Sequence, residues 1–280
     1  TYKLIELPDI SRLSEKQCEL LDGFVENGGK LLATGLPSTR DEIGNPKEEI
    51  RLKSLGVESG FEPFDKVQGT YFRVFDKDKT VLGPDEFEGF DLVYAWESGM
   101  LCKPEGSATG YLGFIPPAMI GPPEKCYYTE VTERPGLTYN THGNGETALI
   151  SFRLGAIYHL TRDYGHAALV IASLKRRLGY KQNLHIDANP MVEVARQYSP
   201  SGEFEWYGLL NHTGQLGNGF FEPVPIYDTK LSFLPQKPVT SVKSIAGDSN
   251  LEIVKKENGW VEVELPELKS YDVVLVEYEE

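Results

Sequence analysis

The sequence predicts an α/β domain, an incomplete doubly wound sheet with β insertions, over residues 1–183, followed by an all-β sandwich over residues 184–280. Three observations predict it. Residues 2–35, YKLIELPDISRLSEKQCELLDGFVENGGKLLATG, read strand, turn, helix, turn, strand, which is a right-handed βαβ unit and so begins a parallel sheet. A second helical stretch, 166–178, closes that domain. From Asn183 onward helical periodicity ends, and short runs separated by turn residues recur at regular spacing, the pattern of a sandwich.

Each element has a local cause. Tyr2 to Leu7 is an apolar-rich run stopped by Pro8-Asp9, a strand with a breaker after it. Ser14 with Gln17 three residues on has the form of a capping box. Cys18, Leu21, Phe24 and Val25 then share one helical face, and Asn27-Gly28-Gly29 supplies the left-handed residue that ends the helix. Lys30 to Thr34 is the second strand, and the loop at Thr34-Gly35 lies at its carboxyl end, where open α/β sheets place ligand sites. Beyond it Ser38, Thr39, Asp41 and Glu42 are candidate caps of a following helix, and Ile50, Leu52, Leu55 and Val57 form a weaker apolar periodicity interrupted by Gly56.

From Phe61 the character changes. Tyr71–Phe75, Lys79–Leu82, Leu92–Trp96 and Tyr111–Ile115 read as strands between glycines and prolines. Residues 115–125 hold too many prolines for a regular element. Cys126–Val131 resumes as strand, His142-Gly-Asn-Gly is a turn, and Glu146–Phe152 is a strong strand. In the closing helix Leu169, Ile171, Ala172 and Leu178 are expected toward the sheet. Lys175, Arg176 and Arg177 occupy its last turn, where cations suit the dipole, and Gly179 follows as C′.

In the second domain Met191–Tyr198 and Phe204–Asn211 form a hairpin about Pro200-Ser-Gly. Strands follow at Asp228–Leu234, Val239–Ile245, Leu251–Lys255, Trp260–Leu265 and Asp272–Tyr278. Asn258-Gly259 is a hairpin turn that tolerates positive φ at both positions. Val261, Val263 and Leu265 share one face, and Trp260, Glu262 and Glu264 the other, as in a half-buried antiparallel sheet.

Several of these strings resemble a known family. "LPDI", "LSEKQ" and "FVENGGKLLATG" at the start, "GPPEKCYY" and "RPGLTYNTHGNGETALISFRLGAIYHL" toward residue 180, and "LLNHTG…FFEPVPIYD" with "VEVELPELKSYDVVLVE" at the end occur in this order. Together they resemble the C-terminal region of bacterial glycoside-hydrolase-like proteins that carry a β-galactosidase trimerisation-type domain. The resemblance implies an amidotransferase/flavodoxin-like domain of the class I glutamine amidotransferase fold, usually without its chemistry. It further implies homo-oligomerisation and an upstream (β/α) barrel as partner within the same protein. A complete domain of this type places a strand and a helix before Tyr2, so the chain is expected to be part of a longer protein whose compartment the sequence leaves open.

Composition narrows the partners. The formal charge of −14 argues against nucleic acid and anionic membranes, since neutralising phosphates needs an excess of Lys and Arg. No run of about 18 apolar residues is present, so no membrane helix is expected. Cys18, Cys102 and Cys126 are odd in number and far apart, without CxxC spacing, and nothing in that spacing supports a disulfide. His142, His159, His166, His185 and His212 show no HxH or HxxxH spacing, so no metal or other cofactor is expected. Asp76-Lys-Asp78 lacks the remainder of an EF-hand loop, and Gly143-Asn-Gly145 lacks the lysine and helix of a phosphate loop. Asn211-His-Thr213 has the form of a glycosylation sequon.

Three functional readings follow. Amidotransferase chemistry needs a cysteine at the sharp turn after a strand, with a histidine and a carboxylate. The turn holds Gly35-Leu36-Pro37, and His159-Leu160-Thr161 supplies a histidine without the acid. No catalytic residue is therefore assigned, and His159 reads as a packed or loop histidine. The first reading is a non-catalytic accessory and oligomerisation region of a glycoside-hydrolase-like protein in carbohydrate metabolism. The second is a carbohydrate-binding module that presents Trp206, Tyr207 or Trp260. The third is a glycosidase with its own carboxylate pair, for which Glu97 beside Trp96 and Glu205 beside Trp206 are the aromatic-flanked acids. Against that third reading stands the plainer one of core aromatics and surface acids. Trp96, Glu97, Trp206 and Trp260 are the candidate binding residues.

Overall fold

The computed structural model describes residues 2–83, 89, 91–117, 121–122, 124–128, 130–161 and 169–279, and within these not the side chains of 66–69, 81, 96, 97, 158, 160, 161, 169, 172, 173 and 176. Thr1–Tyr180 and Lys181–Glu280 form two compact units.

The first unit opens with β1 (Leu4–Pro8), α1 (Glu15–Glu26) and β2 (Lys30–Thr34). The capping box is present in full: Gln17 N–H donates to Ser14 Oγ at 3.2 Å and Ser14 N–H to Gln17 Oε1 at 2.8 Å. Gly28 takes φ +99° after the helix. Cys18 and Val25 are buried, with Leu21 and Phe24 packed beside them. β1 and β2 pair in parallel.

After β2 the chain departs from the doubly wound expectation. The next strands are β3 (Glu62–Arg73), β4 (Leu92–Leu101), β5 (Thr109–Ile115), β6 (Pro135–His142) and β7 (Gly145–Ile150). The sheet order is β1-β2-β7-β6-β5-β3-β4. Only β1, β2 and β7 are mutually parallel, and every other pairing is antiparallel. The reason lies in the connections. β6 joins β7 through the two residues Gly143 and Asn144, with Gly143 at φ +57°, and so short a link can join only antiparallel strands. The result is a seven-stranded mixed sheet in a mostly β chain.

Other expectations are corrected locally. Lys79–Leu82 is helix: α2 spans Asp76–Leu82. The Asp78 carboxylate accepts from the Phe75 N–H at 2.8 Å and starts the turn, and the helix buries Leu82. Residues 126–128, 130 and 131 form no strand; the Lys125 and Cys126 N–H groups instead bond the Pro122 carbonyl in a turn. The candidate caps after β2 cap no helix. Ser38, buried at φ +57°, accepts from the Arg51 and Leu52 N–H groups, and Thr39 donates to the Leu36 carbonyl, so they brace a loop.

The helices α3 (Leu154–Thr161) and α4 (Leu169–Arg177) cover one face of the sheet and α1 the other. α4 buries Val170, Leu174 and Leu178, with Ile171 only partly buried. Of the residues expected inward, Leu178 is buried and Ile171 packs partly buried against the same core, while Leu169, Ala172 and the expected start at His166 lie outside the described side chains or residues. Gly179 takes φ +83°, and the Tyr180 N–H bonds the Lys175 carbonyl at 2.8 Å, the 6→1 bond of a Schellman cap.

The second unit holds two larger sheets. The first contains β9 (Val192–Tyr198), β10 (Phe204–Asn211), β14 (Val239–Ser244), β15 (Ser249–Asn250) and β18 (Tyr271–Tyr278). The second contains β8 (Leu184–Asp187), β13 (Ile226–Phe233), β16 (Val254–Lys255) and β17 (Val261–Leu268). Between them in the chain lies the small hairpin of β11 (Gln215–Leu216) and β12 (Gly219–Phe220). Their orders are β15-β14-β18-β10-β9 and β16-β17-β13-β8. Inward side chains of both, among them Tyr207, Phe233, Val263 and Val276, form one core. Asn258 and Gly259 take φ 60° and 81° between β16 and β17, the geometry of a type I′ turn.

Candidate functional site

The carboxyl end of β2 is filled. Gly35 takes φ +73°, and a Cβ there would overlap Asp9 Oδ1 and stand 2.8 Å from Asp9 Cγ. The Asp9 carboxylate is held by the Leu36 N–H at 3.1 Å and by Arg153 Nε at 2.9 Å. The turn therefore has the backbone of a ligand-binding elbow with a carboxylate packed into its mouth. His159 is neither packed nor in a loop but exposed on α3.

An open groove of about 1390 Å³ lies elsewhere in this unit, between the acidic side of α1 (Glu15, Glu19, Asp22) and the 49–60 loop. Asp22 accepts from the Lys53 and Ser54 N–H groups, and Asn140 at the groove floor donates to the Ser54 carbonyl, so both serve the loop. Among the described residues no group of three or more His, Cys, Asp and Glu is arranged to hold a metal, and no helix is long and apolar enough to cross a membrane.

The four candidate binding residues lie in three different stretches of the chain. Trp96 and Glu97 belong to β4, and their side chains lie outside the described residues. Trp260 is half-buried just before β17, on the outer side of the four-stranded sheet with Glu262 and Glu264. Trp206 is half-buried on β10, on the outer side of the five-stranded sheet. Tyr207 is fully buried and stacks on Phe233.

Pairing builds a surface around Trp206. Opposite it stand Leu275 on β18 and Gln197 on β9. Gly208, two residues along, leaves room for the indole: its Cβ would lie 3.1 Å from Trp206 Cζ3. Phe204, Leu210 and Tyr271 continue the exposed apolar row. Along one border Lys243 Nζ meets Glu277 Oε2 at 3.1 Å, and the Ser241 hydroxyl donates to the same oxygen. Those two partners hold the Glu277 carboxyl below the usual range. Tyr271, Leu275 and Lys243 escape sequence reasoning, because only strand register brings them onto the face that Trp206 occupies.

Glu205 is not a surface acid. It is fully buried, with Arg196 Nη2 at 2.7 Å and Nε at 2.9 Å from Oε2, and the Tyr207 hydroxyl donating to Oε1 at 3.0 Å. Burial, then the nearby carboxylate, push the Tyr207 hydroxyl far up from its ordinary value. Arg196 also donates to the Asn183 and Leu234 carbonyls, so this carboxylate ties strands together. Asn211 is likewise occupied: its amide donates to the Val224 and Lys269 carbonyls at 2.8 and 2.6 Å, and its oxygen accepts from Thr213. That leaves the sequon asparagine buried and bonded.

No protein-family model matches the chain, and no curated protein matches it in sequence. Solved structures do. An α-L-fucosidase, isoenzyme 2 from Paenibacillus thiaminolyticus, is 20% identical with a TM-score of 0.66, over 100% of this chain and 41% of that one. Gan42B, a GH42 β-galactosidase from G. stearothermophilus, is 19% identical with a TM-score of 0.58, over 100% of this chain and 32% of that one. A β-galactosidase from Bacillus circulans sp. alkalophilus is 14% identical with a TM-score of 0.59, over 98% and 33%. This chain spans less than half the length of each. The likeness to these glycoside hydrolases is one of fold.

Proposed function

We propose that the chain is a non-catalytic accessory region of a larger glycoside-hydrolase-like protein acting in carbohydrate metabolism. The first unit works in subunit association, as a β-galactosidase trimerisation-type, amidotransferase-like domain, beside a barrel elsewhere in the same protein. The observation that carries this reading is the fold likeness over the whole of this chain to 41% of a fucosidase and 32% of a β-galactosidase. The filled turn at Gly35 supports it, because a nucleophile elbow needs open space where Asp9 stands.

The test is hydrolysis of a panel of nitrophenyl glycosides by the purified chain, alongside light scattering for its mass in solution. No release above buffer and a self-associated species are expected. Enzyme-like turnover would overturn the accessory role, and a monomer at tens of micromolar would overturn the association role.

A further inference from the structure

We infer that the outer face of the five-stranded sheet, centred on Trp206, is a binding site for a neutral pyranose oligosaccharide. This goes beyond the accessory role, since it concerns the second unit alone and needs no catalytic partner.

The case rests on the ring, its floor and its border. An outward Trp on a strand would ordinarily stand up from the sheet. Gly208 removes the one Cβ that the six-membered ring of Trp206 would meet, so the indole lies along the strand above it. One side of the ring is thus covered, and Trp206 keeps a minority of its surface open to solvent. An indole seated in this way presents a π surface to the axial C–H groups of a pyranose, while the sugar hydroxyls reach sideways for polar partners.

Such partners are in register. Gln197 flanks Trp206 on β9, and Lys243 stands across Leu275 on β14. Phe204 and Tyr271 extend the aromatic strip, 37% and 63% exposed.

Charge selects the class. Lys243 and Glu277 pair at 3.1 Å, and Glu193, across from Leu210, meets His212 Nε2 at 3.2 Å, so the strip offers no surplus cation to an anionic ligand. The chain's −14 repels polyanions. A neutral, hydroxyl-rich ligand with one apolar face satisfies both the ring and the border. A protein partner would use the same apolar row but would not need the ring laid over Gly208.

The experiment is titration of the full chain with galactotetraose, xylohexaose and cellohexaose, read by tryptophan emission and by calorimetry. At least one sugar is expected to bind with a dissociation constant on the order of 1 mM. Trp206→Ala is expected to weaken binding at least about tenfold. Gly208→Ala keeps the indole but would place a Cβ 3.1 Å from it, and is expected to weaken binding as well. It therefore tests the geometry should Trp206→Ala fold poorly. Absence of saturable binding to all three sugars at 20-fold this concentration would overturn the inference, as would wild-type affinity in both Trp206→Ala and Gly208→Ala. So would a wild-type oligomer that dissociates in either variant, since the face would then be a protein interface.

Discussion

Asp9 and Gly35 are matched in shape: the Asp9 carboxylate fills the volume that a Cβ on residue 35 would take. Both residues have positive φ, 54° and 73°. The Asp9 N–H bonds the Thr34 carbonyl at 3.1 Å while its Oδ1 accepts from Leu36. The two turns at the carboxyl ends of β1 and β2 are thereby locked together.

Gly35→Ala is expected to cost more than Gly28→Ala. Both glycines have positive φ, but nothing lies closer than 3.8 Å to a Cβ on Gly28, so that change costs only about 1 kcal/mol of backbone preference. Gly35→Ala must also displace Asp9 and is expected to cost about 2–4 kcal/mol. In a double-mutant cycle by urea unfolding, Asp9→Ala should recover part of that loss. Strict additivity would show the two residues are not coupled.

The Arg196–Glu205 pair predicts a different asymmetry. Glu205→Gln or Arg196→Met leaves the other member buried without its counter-charge and is expected to destabilise by about 3–5 kcal/mol. Replacing both by apolar residues is expected to cost less than either single change. Denaturant unfolding followed by tryptophan emission reads this, and single variants within about 0.5 kcal/mol of wild type would contradict it.

Asp78 gives a pH signature. It is fully buried, its Oδ2 accepting from Phe75 and Leu112, and its Oδ1 has no hydrogen-bond partner among the described residues. Burial raises its pKa above 3.8 against the two N–H groups that oppose this. A raised carboxyl favours the protonated native state. Its contribution is therefore present below the unfolded value and is lost as pH climbs through the native one. Asp78→Asn keeps an acceptor oxygen and removes the charge, so the variant should gain on wild type between pH 4 and pH 8. Asp78→Ala strands both N–H groups and should lose about 2–4 kcal/mol at either pH. Parallel pH profiles for wild type and Asp78→Asn would refute the assignment.

Thiol reactivity should divide the three free cysteines. Cys18 and Cys102 are buried and Cys126 is half-buried. Burial pushes the Cys102 thiol up to about 11 and raises Cys18 as well, so neither offers a thiolate near neutrality. A disulfide-exchange reagent at pH 8 is expected to titrate one thiol in the native chain and all three in denaturant. Cys126→Ser should abolish the native reaction, and two or more fast native thiols would refute it.

Legibility in the sequence followed the range of the physics. The Ser14–Gln17 capping box, the Asn258-Gly259 turn and the alternation of Val261, Val263 and Leu265 were readable because each acts within a few residues. Lys79–Leu82 misled because so short a run ending in Val81-Leu82 fits helix or strand equally, and the Asp78 cap that decided for helix also reaches Leu112, 34 residues away.

By itself the sequence determined where α1 is capped, where the hairpin at Asn258-Gly259 turns, that a βαβ unit opens the chain, and that no cysteine stands at the turn after β2. Only the tertiary structure decided that the sheet turns antiparallel beyond β7, that Asp9 occupies the Gly35 turn, that Glu205 is a buried tie, and that Trp206 shares a face with Tyr271 while Trp260 does not. Local signals are set by backbone torsions and nearest hydrogen bonds. Strand order and register depend on pairings between residues far apart in the chain, whose free energy is won only when the whole core closes.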